Sequence, residues 1–310
     1  MLLTRQGWAD ALLELGAKDP RVVVLDADLA KSTLTSLFKE KFPKRFFDMG
    51  IAEQNMINVA GGLSLTGLIP FVSTYGVFVS GRAWEQIRTS VCYGNLNVKF
   101  GGAHGGLSVG PDGATHQALE EITIMRVLPG MTVVVPSDYY ETKKAILASV
   151  EINGPVYVRF GREKVPVVTT KDTPFKIGKA INMLEGGDVT IIACGAMVAE
   201  ALDAAEELAK KNIKAEVINL HTIKPLDRDA ILSSVKKTGC VVTAEEHQLA
   251  GGMGSAVAEV LVQNLPVPME MVGIADTFGE SGQPRELMEK YSITGKDIYE
   301  KALKVRARCL

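Results

Sequence analysis

Short apolar runs alternate with segments of helical periodicity along most of the chain. In the first half, strands are predicted at 21–28, 45–47, 69–74, 97–101, 131–135 and 155–160. Helices are predicted between them, at 4–16, 52–65, 78–93, 114–127 and 137–150, with Thr4 as the first N-cap. Because strands that are apolar on both faces and alternate with helices form parallel sheets, this half is predicted to be a doubly wound α/β domain. Ligands of such sheets bind at the carboxyl ends of the strands.

A polar stretch with two prolines then interrupts the pattern, and a second, similar series follows. Strands are predicted at 189–193, 215–220, 240–244 and 269–274, and helices at 197–211, 227–237 and 254–264, before two short final helices. The prolines and threonines of the interruption are typical of an interdomain connection. The predicted organisation is therefore a domain at 1–165, a linker at 166–180 and a smaller α/β domain at 181–310.

Composition narrows the range of partners. The chain has 34 Lys plus Arg against 36 Asp plus Glu, so no broad field would attract a nucleic acid or an anionic membrane. No stretch approaches the roughly 18 apolar residues of a membrane-spanning helix. The four cysteines, at 92, 194, 240 and 309, form no Cys-x-x-Cys pair. We expect reduced, mostly buried thiols and a cytoplasmic location.

The stretch 48–56, with sequence DMGIAEQNM, joins a short predicted strand to a helix rich in small residues. It places Glu53 in the first turn of that helix, where the ligand crevice of a parallel sheet lies. A carboxylate at this point can serve a ligand, or it can simply interact with the helix dipole. Position alone leaves both interpretations open.

The glycine-rich loop, residues 101–116, carries most of the remaining candidate chemistry. Six of its sixteen residues are glycine, which disfavours both helix and strand interior and favours close approach of the backbone to a ligand. His104, Asp112 and His116 lie in the same segment. A zinc site is the rival interpretation, but there is no clustered third ligand, so we predict no metal site in this chain.

Three segments together resemble the transketolases, which use thiamine diphosphate: GIAEQNM at 50–56, FVSTYGVF at 71–78, and the glycine-rich loop. The resemblance implies that Glu53 bonds to the cofactor's aminopyrimidine and, with His104, is catalytic. It also implies a set of cofactor-binding residues: Tyr75 and Phe78 as the stacking wall, Asp28 near the thiazolium, and Ile51. Gly81 stands where some members have a third aromatic residue.

Sugar-phosphate binding is implied by the same resemblance. Asp112 matches a residue that recognises a substrate hydroxyl, and the positions that match phosphate-binding residues are Arg5, Ser32, His116 and Arg159. Arginine forks and helix starts suit phosphate oxygens. His221 and His247 are interpreted as structural.

The resemblance extends from Thr4 to about Leu303 but covers only the later two thirds of a transketolase. The missing domain holds the diphosphate through Mg²⁺ (or Ca²⁺). The chain is thus identified as the C-terminal section of a split transketolase, composed of a pyrimidine-binding domain and a C-terminal domain. The resemblance implies that the chain binds a partner N-terminal subunit and self-associates to a dimer. The resulting heterotetramer is expected to act in the pentose phosphate pathway.

Other functions remain open. Within the cofactor class, 1-deoxy-D-xylulose 5-phosphate synthase shares the Gly-Ile-Ala-Glu-Gln pattern, and the beta subunit of a 2-oxoacid dehydrogenase shares the domain plan. In another class, the chain could be a non-catalytic regulatory subunit. The stretch from Gln54 to Met56 and the Tyr75 wall favour transketolase over the synthase.

Overall fold

The structure is a computed structural model and describes residues 1–309. Its strands, in chain order, are β1 (Leu2–Leu3), β2 (Val22–Asp26), β3 (Phe46–Asp48), β4 (Ile69–Tyr75), β5 (Lys99–Ala103), β6 (Thr132–Val134), β7 (Val156–Arg159), β8 (Lys164–Val165), β9 (Ile181–Leu184), β10 (Val189–Ala193), β11 (Ala215–Asn219), β12 (Thr222–Lys224), β13 (Val241–Gln248) and β14 (Met269–Ile274).

The helices connect these strands on both faces of the sheets. The α-helices are α1 (Thr4–Lys18), α2 (Ala30–Thr33), α3 (Ser36–Lys41), α4 (Glu53–Leu65), α5 (Trp84–Gln86), α6 (Glu121–Arg126), α7 (Tyr139–Ser149), α8 (Met197–Ala209), α9 (Arg228–Thr238), α10 (Met253–Asn264), α11 (Pro284–Lys290) and α12 (Gly295–Arg306). Short 3₁₀ helices cover Pro43–Arg45 and Leu107–Asp112, and π-helical turns cover Phe78–Arg82 and Ile87–Cys92.

The first sheet has seven strands in the order β12-β6-β7-β5-β4-β2-β3. All of its neighbours are parallel except β12, which runs antiparallel to β6. Since β12 comes from the second half of the chain, the two predicted domains share this sheet. The predicted α/β class is confirmed, but the sequence pattern did not predict β12.

The second sheet has five strands in the order β14-β13-β10-β11-β9. Its four parallel strands match predicted positions, whereas β9 is an unpredicted antiparallel edge strand. Between the halves, residues 166–180 contain neither helix nor strand. They are nevertheless held in place, because the backbone amides of Val168 and Thr169 donate to the Asp138 carboxylate at 2.8 and 2.6 Å.

Aromatic packing fixes α1 against the first sheet. Trp8 is fully buried between Phe71 and Phe160, with ring centroids 5.9 and 5.2 Å away. A Cβ on Gly101 would lie 2.5 Å from the Trp8 ring, so this glycine is required by packing. Replacing such an aromatic residue by alanine typically costs about 3–5 kcal/mol.

Two predicted helices are shorter or less regular than their periodicity indicates. In place of a helix over 114–127, only Glu121–Arg126 is helical, because Ala118 forms a parallel bridge to Gly105 and holds the preceding residues to the glycine-rich loop. The stretch 78–93 alternates between π and α turns.

Thr4 is the first residue of α1 and not its N-cap. Its hydroxyl does not cap the helix and donates to the Gly161 carbonyl at 3.2 Å.

Candidate active site

The candidate residues come from the carboxyl ends of neighbouring parallel strands. Glu53 follows β3, Ser32 follows β2, Tyr75 ends β4 and His104 follows β5. These strands lie side by side in the first sheet. The candidate residues therefore lie at one edge of the sheet, and the topology explains why distant segments meet there.

Glu53 is the first residue of α4 and is only 2% exposed. Its two carboxylate oxygens each accept a hydrogen bond of 2.9 Å from Nη1 of Arg82. The Arg82 guanidinium also lies over the Phe78 ring, 4.5 Å from its centroid. Sequence reasoning missed Arg82, although its position four residues after Phe78, on one helical face, was an available signal.

An aromatic wall extends from this carboxylate toward the glycine-rich loop. The Tyr75 and Phe78 rings stack with centroids 5.8 Å apart and planes inclined by 25°. The His104 ring lies 4.0 Å from Tyr75, and the His116 ring meets Phe78 edge-on at 5.4 Å. A series of contacts through Arg82 thus connects the predicted catalytic residue Glu53 to the stacked rings and to His104.

His104 is buried, and its backbone is in the left-handed region with φ of 58°. Such a conformation costs a residue with a side chain about 1–3 kcal/mol and is found most often at functional sites. Burial, followed by the charges of Arg5, Arg162 and His116, lowers the pKa of His104 to about 3. The ring is therefore neutral near pH 7, and its Nδ1 has no hydrogen-bond partner within residues 1–309.

The glycines of the glycine-rich loop face protein atoms. A Cβ on Gly106, where φ is +96°, would lie 2.4 Å from Oε2 of Glu246, and one on Gly113 would lie 2.5 Å from Oγ of Ser281. Across all six glycines a Cβ would have a neighbouring side-chain atom at 3.0 Å or less. The expectation that these glycines admit a ligand's close approach is therefore corrected: they admit close packing of the protein.

Asp112 lies next to Arg162, a positively charged residue that sequence reasoning missed. Nη1 of Arg162 lies 3.4 Å from an Asp112 carboxylate oxygen and donates to the Val109 carbonyl at 3.0 Å. Arg162 is half-buried and close enough to His104 to lower the pKa of that ring. It follows Arg159 by three residues, so the Arg-x-x-Arg spacing was the signal for a second candidate.

The structure brings together Arg5 and Ser32, two of the residues predicted to bind an anion. Nη1 of Arg5 donates to the Ser32 carbonyl at 2.9 Å. The buried Asp26 stabilises the segment around Ser32, because its carboxylate accepts hydrogen bonds from the Leu29 amide and the Thr33 hydroxyl. Burial raises the pKa of the Asp26 carboxyl to about 6.

Arg159 does not join this group, which corrects its assignment as a phosphate ligand. It is 4% exposed, forms an ion pair with the buried Glu121, and donates from Nη2 to the Glu246 carbonyl at 2.8 Å. The neighbouring carboxylates raise the pKa of Arg159 further above its usual value, against the effect of burial. Its charge is thus committed to the protein interior.

Two predicted cofactor residues lie at the rim. Asp28 is exposed just after β2 with φ of 62°, and Ile51 is 77% exposed just before α4. Both residues come after the carboxyl ends of β2 and β3, the strands that also precede Ser32 and Glu53.

The described part of the chain has neither a metal-binding cluster nor a membrane-spanning helix. Residues 1–309 contain no group of three or more His, Cys, Asp or Glu side chains arranged to hold a metal ion. Over the same residues, the helices are all too short or too polar to cross a bilayer. His221 and His247 are fully buried, and burial lowers the pKa of His221 to about 4.

Comparison with known proteins identifies the family. A family model for the pyrimidine-binding domain of transketolase matches residues 1–168, and one for the transketolase C-terminal domain matches residues 178–298. The chain belongs to the transketolase family. A solved split-gene transketolase, described as an inactive β4 tetramer, is 49% identical with a TM-score of 0.94 over 100% of both chains.

Two curated relatives show the range of substrates among similar transketolase subunits. A 6-deoxy-6-sulfo-D-fructose transketolase subunit from Clostridium sp. (strain MSTE9) is 46% identical over 98% of this chain and 94% of its own length. One of the subunits of an apulose-4-phosphate transketolase from Phocaeicola vulgatus is 38% identical over 98% of this chain and 97% of its own. The chain therefore corresponds to the C-terminal section of a split transketolase.

Proposed function

We propose that the chain is the C-terminal subunit of a split transketolase that transfers a two-carbon ketol unit from a ketose phosphate to an aldose phosphate. The observation that supports this most strongly is the buried Glu53 carboxylate beside the stacked Tyr75 and Phe78 rings. A second chain would provide the N-terminal domain, the diphosphate site and Mg²⁺ or Ca²⁺. The free thiols at positions 92, 194, 240 and 309 suit a reducing cytoplasm.

The residues present fit the aminopyrimidine end of thiamine diphosphate. An aromatic wall offers stacking, and a carboxylate that is 2% exposed beside it can hold a proton shared with a ring nitrogen. Arg82 now interacts with both Glu53 and Phe78, so its guanidinium would move aside for a ring seated there. Asp28 and Ile51 would contact the cofactor from the rim. When bound, the cofactor supplies a nucleophilic carbon and an electron sink.

The remaining residues would serve the sugar. His104, neutral near pH 7 because its pKa is lowered to about 3, has an acceptor nitrogen and an N–H donor, and its unpartnered Nδ1 can form a hydrogen bond with a sugar hydroxyl. Asp112 would accept a hydrogen bond from a substrate hydroxyl. Arg162, Arg5, Ser32 and His116 surround the same region and would hold the anionic end. Arg162 takes this part in place of Arg159, whose charge is committed to Glu121.

The named relatives widen the choice of donor. One carries the name of 6-deoxy-6-sulfo-D-fructose and the other of apulose-4-phosphate, so both names specify a sugar with an anionic group. Arginine forks bind such groups through paired N–H donors. We therefore propose an anionic ketose as donor, with pentose phosphate pathway sugars as the first candidates.

The test uses complex purified from the native host through a tag on this chain. Release of glyceraldehyde 3-phosphate from xylulose 5-phosphate is assayed with ribose 5-phosphate as acceptor, with and without thiamine diphosphate and Mg²⁺. The proposal expects a co-purifying second chain in a heterotetramer and product only when cofactor and acceptor are both present. Alone, this chain should self-associate and be inactive, as the solved β4 relative is described.

Parallel reactions address the alternatives. Product from 6-deoxy-6-sulfo-D-fructose or apulose-4-phosphate alone would keep ketol transfer and change the donor. Turnover of pyruvate without ketose donors would favour a 1-deoxy-D-xylulose 5-phosphate synthase or 2-oxoacid dehydrogenase subunit. An intact complex that turns over no donor with cofactor present would contradict the proposal and favour a regulatory subunit.

A further inference from the structure

The inner side of the glycine-rich loop contacts the second half of the chain. The backbone amide of Ser108 donates to Oε1 of Glu246 at 3.1 Å, and the Ser108 hydroxyl donates to Oε2 at 3.1 Å. These partners are 138 residues apart in sequence. One carboxylate from β13 therefore accepts from the amide and the hydroxyl of a residue in the 3₁₀ turn Leu107–Asp112.

Gln117 makes a second attachment, which links the first residue of the same turn to the segment before α11. The Gln117 side-chain amide donates to the Glu280 carbonyl at 2.9 Å and to the Leu107 carbonyl at 3.1 Å. A Cβ on Gly110 would lie 3.0 Å from Cγ of Pro284. The turn is thus enclosed between β13 and the residues that lead into α11, with no room for an added methyl group.

The turn lies between the residues proposed to contact the sugar. His104 precedes it, and Asp112 is its last residue. A shift of the turn would therefore move the Asp112 carboxylate relative to the His104 ring. Misplacement of a binding group by about 1 Å can reduce turnover on the order of 10²-fold.

We infer that Glu246 is a positioning residue, through which the C-terminal half of the chain sets the geometry of the sugar-binding turn. The inference rests on the proposed function for its kinetic consequence and on the Ser108 contacts for its structural basis. The C-terminal half of the chain would thus influence substrate recognition through Ser108, without contacting the substrate itself.

The surroundings of Glu246 act on its carboxyl in opposite directions. The side chain is 3% exposed, and burial raises the pKa of its carboxyl, an effect that the Arg159 guanidinium and the two Ser108 donors only partly offset. Arg159 also donates to the Glu246 backbone carbonyl at 2.8 Å, which fixes the strand at this residue. Arg159 therefore contributes to the site indirectly, by holding Glu246.

The adjacent residue provides a matched control. Glu245 lies on the same strand and is 1% exposed, but its carboxylate accepts from the Met253 and Gly254 amides at the start of α10, at 2.7 and 2.8 Å. Replacing either glutamate by alanine removes a buried carboxyl group and its two hydrogen bonds. Only one of the two deletions releases the sugar-binding turn.

The experiment compares Glu246→Ala, Ser108→Ala and Glu245→Ala in the purified two-chain complex. For Glu246→Ala we expect the KM for the ketose donor to rise on the order of 10²-fold, with a smaller fall in kcat. Ser108→Ala, which removes the hydroxyl contact and keeps the amide contact, should raise KM by about tenfold or less. Glu245→Ala should leave the donor KM at the wild-type value.

Hydrogen exchange of backbone amides provides a readout independent of turnover. In Glu246→Ala the amides of 106–113 should exchange faster, whereas in Glu245→Ala the increase should fall at 253–256. Glu246→Gln, whose amide oxygen still accepts from Ser108, should restore much of the protection and of the KM. Because Ser108→Ala removes little buried structure, it keeps the test decisive if Glu246→Ala does not fold.

Wild-type exchange and donor KM in both Glu246→Ala and Ser108→Ala would overturn the inference. An equal rise of KM in Glu245→Ala would also overturn it, because the effect would then be general destabilisation. If the wild-type complex turns over no sugar while the exchange pattern is as expected, the proposed function fails and the structural contact is supported.

Discussion

The two ends of the candidate site are built differently. At the Glu53 end, the carboxylate has Arg82 as its side-chain partner, and Ile51 beside it is 77% exposed. At the glycine-rich loop, the turn is enclosed by Glu246, Gln117 and the residues before α11. The first end presents apolar surface and a charged side chain to solvent, whereas the second is supported from within the same chain.

This difference indicates how the work is divided. Groups that bind and orient the sugar need fixed positions, and the chain supplies the support for them itself. The cofactor end remains open because, under the proposed function, a second chain closes over it.

Glu53→Gln should reduce turnover of the complex on the order of 10²–10⁴-fold, because an amide cannot exchange a proton with the cofactor ring. Size-exclusion chromatography should show unchanged assembly, since the amide retains a hydrogen bond to Arg82. Glu85→Gln, an exposed glutamate on α5, is the control and should have wild-type turnover. Full activity in Glu53→Gln would contradict its assignment.

Arg159→Met should destabilise the chain by about 3–5 kcal/mol, because it leaves the buried Glu121 carboxylate without its ion-pair partner. Urea denaturation measures this. The change should act on the free energy of unfolding even when no ligand is present. Unchanged stability would show that the buried pair is not formed.

Arg162→Met should raise the KM for anionic donors about 10–100-fold through the loss of charge-assisted hydrogen bonds. Its effect on the free energy of unfolding should stay below about 1 kcal/mol, because its Asp112 contact of 3.4 Å is partly exposed. Steady-state kinetics with a phosphorylated donor, and with the same sugar unphosphorylated, isolates the anion. Equal KM changes for both donors would contradict phosphate binding.

His221→Phe should change how stability depends on pH. Burial lowers the pKa of His221 from 6.5 to about 4, so below pH 6.5 the unfolded chain binds a proton that the folded chain does not. The wild type should therefore lose up to about 1.4 kcal/mol per pH unit relative to the variant between pH 6.5 and 4. Above pH 7 the difference between the two should be constant.

The comparison with the variant is needed because other groups act in the opposite direction. Burial raises the pKa of Glu141 to about 7, which favours the folded chain as the pH falls from 7 toward 4.5. Denaturation midpoints of both proteins, measured across pH 4 to 8, separate the two contributions. A pH-independent difference would show that His221 titrates normally.

Ile51→Asp should change the free energy of unfolding of the isolated chain by about 0.5 kcal/mol or less, because the side chain is already exposed. In the complex it should weaken cofactor binding about tenfold, since burying such a side chain is worth about 1.5–3 kcal/mol. Val262→Asp, at an equally exposed position on α10, is the control. Equal effects of both changes would argue against a closed cofactor end at Ile51.

The elements and the edge of the sheet could be predicted from sequence because they depend on local pattern. Tyr75 ends an apolar strand, Phe78 comes three residues later, His104 follows the next strand, and parallel strands bring their ends together. The choice between Arg159 and Arg162 could not be made in this way. It depends on Glu121, which is 38 residues away and pairs with Arg159 only in the folded chain.

Other features were beyond local reasoning for similar reasons. Glu246 meets Ser108 across 138 residues, and no spacing rule links them. The glycines of the glycine-rich loop were correctly placed in a loop, but the atoms that require them belong in large part to distant segments of the chain. The strand β12 has three residues, which is too short for a periodic signal.

The pairing of β12 with β6 also determines whether the chain could be split between its two halves. Thr222–Lys224 covers the edge strand β6, so a stop codon within 166–180 would release a fragment with unpaired backbone groups along β6. An exposed edge of this kind recruits other chains and leads to aggregation. Separate expression of the two halves should therefore give an insoluble first half, which co-expression of the second half would rescue.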